Sequence, residues 1–280
     1  MTQVLDTLSE IAPDYGAVVF DQWGVLHDGS APYPCAGPAL ATLVDEGHTL
    51  AVLSNSGKRA TVNAAQLEAI GFPSALFACV MTSGEVLWRA FAAGGLPYEK
   101  LYAITRAPGD AEDWADGLGV AFVPVAEAEA LLLMGLADTA GASAYADVFA
   151  AALERRLPVL CSNPDRTAPR AGGTSVVMPG TLAQHYADNG GDVRFIGKPH
   201  LEVFRAVEEA LDLSPENILL VGDSLEHDIA GARAAGWHSV FVQGGLHAKS
   251  FGTASPEDAL AELAHSLNAP PPEFTLDIVR

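Results

Sequence analysis

Along almost its whole length the chain alternates short apolar runs of strand length with amphipathic stretches long enough to be helices. AVVF (17–20) reads as a buried strand, followed by a helix over 37–46, and TLAVLS (49–54) as a second strand, followed by a helix over about 58–70. The pattern returns near the C-terminus as VRFIG (193–197), a helix over 200–211, ILLVG (218–222), a helix over 227–235 and SVFVQ (239–243). Strand–helix–strand alternation calls for right-handed crossovers, and so for a parallel sheet with helices on both faces. The predicted fold class is therefore α/β, a Rossmann-like doubly wound parallel sheet.

The stretch from about 99 to 192 alternates as well: LYAIT, a helix near Asp113, VAFV, LLLM, a helix over 143–156 and PVLCS. It contains no low-complexity linker and no internal repeat, so the motifs on either side mark it off. A doubly wound sheet binds ligands at the carboxyl ends of its strands. The residues with chemical potential sit at such ends.

Composition narrows the function classes. A formal net charge of −20 over 280 residues, with no basic patch interleaved with aromatics, argues against a nucleic-acid partner. The first residues, MTQVLDTLSEIAPDYG, lack the basic start and apolar run of a secretory signal, and no apolar stretch is long enough for a bilayer. Cys35, Cys79 and Cys161 are widely spaced and odd in number, which gives no disulfide framework or metal pattern and suits a reducing cytoplasm.

Four motifs carry chemistry. In VVFDQWGVLHDG, Asp21 closes an apolar strand before Gly24, and a carboxylate so placed can attack phosphorus or bind a metal, although a lone Asp also serves as a turn cap. In AVLSNSGKRA, Ser54 and Asn55 stand between a strand and a helix N-terminus, a setting that suits phosphate and equally an ordinary N-cap. In FIGKPH, Lys198 follows a strand and could neutralise a nucleophile facing a phosphate, though most lysines only snorkel. In ILLVGDSLEHDIAGARAAG, Asp223 ends a very apolar strand and Asp228 follows at a helix start, hard oxygen donors of the type Mg²⁺ prefers.

Taken in this order, the four motifs resemble those of the haloacid dehalogenase superfamily, and the resemblance spans nearly the whole chain. The block between the second and third motifs looks like a C2-type cap of the class IIA branch. SNPD (162–165) and GTLAQHYADNGG (180–191) resemble stretches of its sugar-phosphate, phosphoglycolate and pyridoxal-phosphate phosphatases. The resemblance implies a core of residues 1–98 and 193–280 with a cap inserted at 99–192. It also implies a Mg²⁺ cofactor, a small phosphorylated metabolite as substrate, and the cap-mediated homodimer found among such relatives, with no nucleic-acid or membrane partner.

By the same resemblance Asp21 is the nucleophile, forming an aspartyl-phosphate, and also a metal ligand with Asp223 and the main-chain oxygen of Trp23. Ser54 and Asn55 are expected at the substrate, Ser54 holding the phosphoryl oxygens and Asn55 helping to shape that loop, while Lys198 screens charge and Asp228 holds metal-bound water or orients its neighbours. From the cap, Asn163 and Asp165 are expected at the substrate, with Arg166 and Arg170 also polar residues of that region.

One departure matters. Phosphatases of this superfamily carry a second aspartate two residues after the nucleophile as general acid and base, and here that position is Trp23. A positioned acid or base is worth about 10²–10⁴ in rate, so alkyl phosphates should suffer more than aryl or acyl phosphates unless another group stands in. His27 and Asp28 are the nearest candidates. Met81, Trp88 and Phe91 read as core packing. Two other readings follow from Trp23: a weakly catalytic phospho-ligand binder, or a haloacid dehalogenase, which would have no use for a Mg²⁺ site at Asp223 and Asp228.

Overall fold

The computed structural model describes residues 2–137, 141–170, 174–251 and 255–280. Its larger sheet orders seven strands as Gln3–Val4, Phe274–Leu276, His238–Val242, Ile218–Gly222, Ala17–Phe20, Thr49–Ser54 and Cys79–Thr82, every neighbouring pair parallel. A second parallel sheet orders five as Val193–Phe195, Val159–Cys161, Ala130–Leu133, Lys100–Ile104 and Ala121–Phe122. An antiparallel hairpin pairs Thr167–Arg170 with Thr174–Val177.

The α/β class follows the alternation of the sequence. AVVF, TLAVLS and ILLVG form strands at the predicted residues, and all but the first residue of TLAVLS are buried. VRFIG is different. Its strand, Val193–Phe195, pairs with Val159–Cys161 and so lies in the second sheet, not in the core that was expected to resume at 193. The return to the larger sheet comes after that strand. An apolar run announces a strand, but its neighbour is chosen by long-range pairing.

The edge strand Cys79–Thr82 has no counterpart in the sequence reading, because no turn residue separates it from the helix Ser83–Ala92. Thr82 ends the strand and also caps the helix, its hydroxyl accepting from Glu85 N at 3.0 Å. The helix expected over 227–235 opens instead with a π-helical turn, Leu225–Ile229, and continues as Ala230–Ala235.

Ala17–Phe20 is central, with Thr49–Ser54 on one side and Ile218–Gly222 on the other. The chain leaves it in one direction and returns from the other, so a crevice opens beyond its carboxyl end. The second sheet is fused to this core. One apolar cluster joins Val19, Leu53 and Met81 of the larger sheet to Leu101, Leu132 and Leu160 of the second. Among the described residues no helix is long and apolar enough to cross a membrane.

Trp114, in the helix Asp110–Ala115, is with Trp237 one of two buried tryptophans in that shared cluster. It is 1% exposed, its indole N–H donates to the Gly84 carbonyl at 2.8 Å, and it packs edge-on against Phe91. Phe91 and Met81 are buried as expected. Trp88 is only half-buried, with the Arg59 guanidinium stacked 3.7 Å from its ring centroid. Trp114→Ala should cost about 3–5 kcal/mol, because the cavity lies where both sheets meet. Urea unfolding checks this, and a loss below about 1 kcal/mol would mean that the shared cluster does not hold the sheets together.

Candidate active site

Asp21 emerges where Ala17–Phe20 ends. Its N–H still donates to Val221 O at 2.9 Å, so the sheet fixes its backbone. The chain then turns at Gly24, whose φ is 88° and where a Cβ would lie 1.8 Å from Asp223 Oδ2. Only glycine meets both demands. Asp223 follows Ile218–Gly222, and its Oδ2 accepts from Leu246 N at 2.6 Å. Asp228 lies in the Leu225–Ile229 turn, with Oδ2 accepting from Ser224 N at 3.0 Å.

Lys198 completes the group from the second sheet. The short segment after Val193–Phe195 carries its ammonium in among the carboxylates of the larger sheet. Nζ donates to Asp21 Oδ1 at 2.5 Å and to Asp228 Oδ1 at 2.6 Å, and the residue is 2% exposed. Asn55 holds its backbone on both sides: Lys198 N donates to Asn55 Oδ1 at 2.6 Å, and Asn55 Nδ2 donates to Lys198 O at 3.2 Å. The approach is close enough to require glycine before it, since Gly197 has φ 136° and a Cβ there would meet Asn55 Oδ1 at 2.7 Å.

Charge is unbalanced here. Asp21, Asp223 and Asp228 each place an oxygen within 4.8 Å of the others, with one ammonium among them. Burial pushes Asp21 up to about 7, against the pull of Lys198. Burial, followed by repulsion from Asp21 and Asp228, holds Asp223 well above the usual carboxylate range. Burial would discharge Lys198, but Asp21 and Asp228 together more than reverse it, so the ammonium stays charged. Buried hard oxygens short of positive charge fit a divalent cation such as Mg²⁺.

Around this cluster lies a cavity of about 700 Å³ lined from both sheets. Ser54, at the end of its strand, lines it and is buried. Asn55 also lines it, but its amide is committed to protein: Nδ2 donates to Asp165 Oδ1 at 2.7 Å as well as to Lys198. Its place is therefore to position Lys198 and Asp165, where contact with substrate was expected. Asn163 shapes the SNPD turn, its Oδ1 accepting from Asp165 N at 3.2 Å. Arg166 is exposed and lines the cavity, while the Arg170 side chain lies outside the described residues.

Of the two stand-ins for the missing aspartate, His27 is buried and lines the cavity, and Nδ1 accepts from Gly29 N at 3.0 Å. Asp28 is exposed and closes its own turn by accepting from Ser30 N and Ala31 N. The sequence reading missed His227. It lines the cavity, and its Nδ1 lies 3.2 Å from Asp165 Oδ1. Its place beside Asp228 was the available signal, but nothing local reveals a partner so distant in the chain.

Two family models match the chain: a haloacid dehalogenase-like hydrolase model over residues 18–120 and a HAD-hydrolase-like model over 195–270. Chronophin of Rattus norvegicus is 24% identical over 95% of this chain and 93% of its own length. Dihydroxyacetone phosphatase of Corynebacterium glutamicum (strain R) is 28% identical over 87 residues, and there this chain spans about a third of that relative (32%). A haloacid dehalogenase-like hydrolase from Brucella suis 1330 superposes with a TM-score of 0.83 at 26% identity, covering 99% of this chain and 100% of that one.

Lys198→Met tests the charge balance. Breaking a buried pair on one side costs about 3–5 kcal/mol. Removing the ammonium raises the Asp21 pKa further, and a carboxyl group raised on folding loses stability as pH climbs through its folded value. The metal-free variant should therefore lose more thermal stability, relative to the parent, at pH 8 than at pH 5. An equal loss at both would contradict the carboxylate–ammonium account.

Proposed function

The chain belongs to the haloacid dehalogenase-like hydrolases, and from that premise we propose that it is a Mg²⁺-dependent phosphatase acting on a small phosphorylated metabolite through Asp21. The observation that carries this is the Lys198 ammonium seated between Asp21 and Asp228, with Asp223 close by.

Asp21 Oδ attacks phosphorus, the bond to the leaving oxygen breaks, and an aspartyl-phosphate forms. Water then attacks phosphorus, and the Asp21–phosphorus bond breaks to release inorganic phosphate. Lys198 offsets the repulsion between the carboxylate and the incoming phosphate, and catalysis of such transfer rests mostly on positioning and on neutralising charge of this kind. The Ser54 hydroxyl, from a residue that lines the cavity, would donate to a phosphoryl oxygen. Asp21, Asp223 and the Trp23 main-chain oxygen would hold Mg²⁺, with Asp228 engaging it through water. When bound, the ion supplies Lewis-acid neutralisation of the phosphoryl oxygens.

The rest of the cavity favours a modest organic phosphate. Met134, Leu136 and Met178 give it apolar walls, and Arg166 adds positive charge. The name of one relative, dihydroxyacetone phosphatase, supports a small substrate. Trp23 is the observation that favours a second reading, a phospho-ligand binder without turnover. Its ring lies against Gly29, where a Cβ would stand 2.4 Å from it, and it brings no carboxylate to the leaving group.

A phosphate-release screen over many esters, with and without Mg²⁺, separates the readings. Release that requires Mg²⁺ and falls at least about 10³-fold in Asp21→Asn is the expected outcome. Tight ester binding without release supports the binder. Turnover unaffected by Asp21→Asn, or chloride release from haloacids, would remove the phosphatase reading.

A further inference from the structure

The place that Trp23 leaves without a proton donor has a candidate occupant in the fourth motif. We propose that His227, held by Asp165, is the catalytic acid and base of the reaction; this rests on the phosphatase reading above.

The case is geometric. His227 belongs to the turn between Asp223 and Asp228, and its backbone N–H donates to Ser224 Oγ at 3.2 Å, which fixes the turn. Asp165 takes its Nδ1 at 3.2 Å and Asn55 Nδ2 at 2.7 Å. Asn55 in turn holds both sides of the Lys198 backbone. The histidine is therefore built onto the frame that carries Lys198 to Asp21.

The other ring nitrogen is available. Nε2 of His227 has no partner among the described residues, yet it is absent from the buried unpartnered side-chain atoms, which are Ser162 Oγ and His247 Nε2. Nε2 is therefore not fully enclosed, and the residue lines the cavity. The charged and titratable groups facing the ring are Asp165, Asp228, Lys198, His200 and His247.

His27 is set up differently. Its Nδ1 accepts a backbone N–H, burial holds it neutral, and its ring leans on Trp23 with centroids 5.9 Å apart. Asp28 is exposed and spent on its turn.

The steps balance. As Asp21 Oδ bonds to phosphorus and the ester P–O bond breaks, Nε2–H passes its proton to the leaving oxygen, giving a neutral alcohol and a neutral imidazole. As water attacks the aspartyl-phosphate, its proton goes to Nε2, phosphate leaves, and imidazolium is restored. Asp165 keeps Nδ1–H in place throughout.

The test compares the parent, His227→Asn and His27→Gln, with Mg²⁺, on p-nitrophenyl phosphate and n-propyl phosphate. Nitrophenolate leaves without a proton and propoxide does not. His227→Asn should lose about 10²–10⁴ in kcat/KM on propyl phosphate and far less in the first nitrophenol burst. With the second step slowed, acid-quenched His227→Asn should carry phosphate, detectable by intact mass. Asp165→Asn should show the same selectivity to a smaller degree and serves if His227→Asn fails to fold. Equal losses on both esters with no phosphoprotein, or the selectivity appearing in His27→Gln instead, would overturn the proposal. Absence of nitrophenol release by the parent would instead overturn the phosphatase reading itself.

Discussion

The Lys198 ammonium between Asp21 and Asp228 is the contact on which the rest of the site depends. Three carboxylates drawn together out of water repel one another and lose hydration, and one buried cation offsets only part of that cost. The fold pays in position: the strand Val193–Phe195 must end over the carboxyl edge of the other sheet for Lys198 to arrive at all. Asn55 then binds the lysine backbone on both sides, so an amide from the second motif fixes the residue of the third.

The two sheets thus contribute different things. The larger one supplies carboxylates from adjacent strands, Asp21 and Asp223, on either side of the point where strand order reverses. The second supplies the lysine and the Asn163–Asp165 turn. A common apolar cluster with Trp114 in it keeps their carboxyl ends over one cavity. Stability and chemistry meet there, because a shift between the sheets would move Lys198 relative to Asp21.

Much of this was legible in the sequence. Wholly apolar runs such as ILLVG make strands on local grounds, and a charged residue at the end of such a run must sit at a sheet edge, which located Asp21 and Asp223. What failed to show was long-range. The run VRFIG cannot say which sheet it joins, Thr82 hides an element boundary by serving both strand and helix, and the pairing of His227 with Asp165 has no local trace. Asn55 reads as a helix cap or phosphate ligand from its position, whereas its amide is saturated by partners far along the chain.

Trp23 stands where the resemblance leads one to expect an aspartate, while the frame around it persists. The turn after Asp21 keeps the glycine that Asp223 needs beside it, yet an indole stands where a proton donor would. The cation cluster does not use that side chain, so its loss leaves the charge arrangement whole.

The claim at the centre is that Asp21 Oδ is the atom that bonds phosphorus beside a metal held by Asp223. A crystal structure of the protein grown with Mg²⁺ and beryllium trifluoride, a mimic of a phosphoryl group on a carboxylate, tests it directly. The account predicts beryllium bonded to Asp21, with Lys198 on a fluoride and Mg²⁺ on Asp223. Beryllium trifluoride elsewhere, or Mg²⁺ away from Asp21 and Asp223, would contradict it.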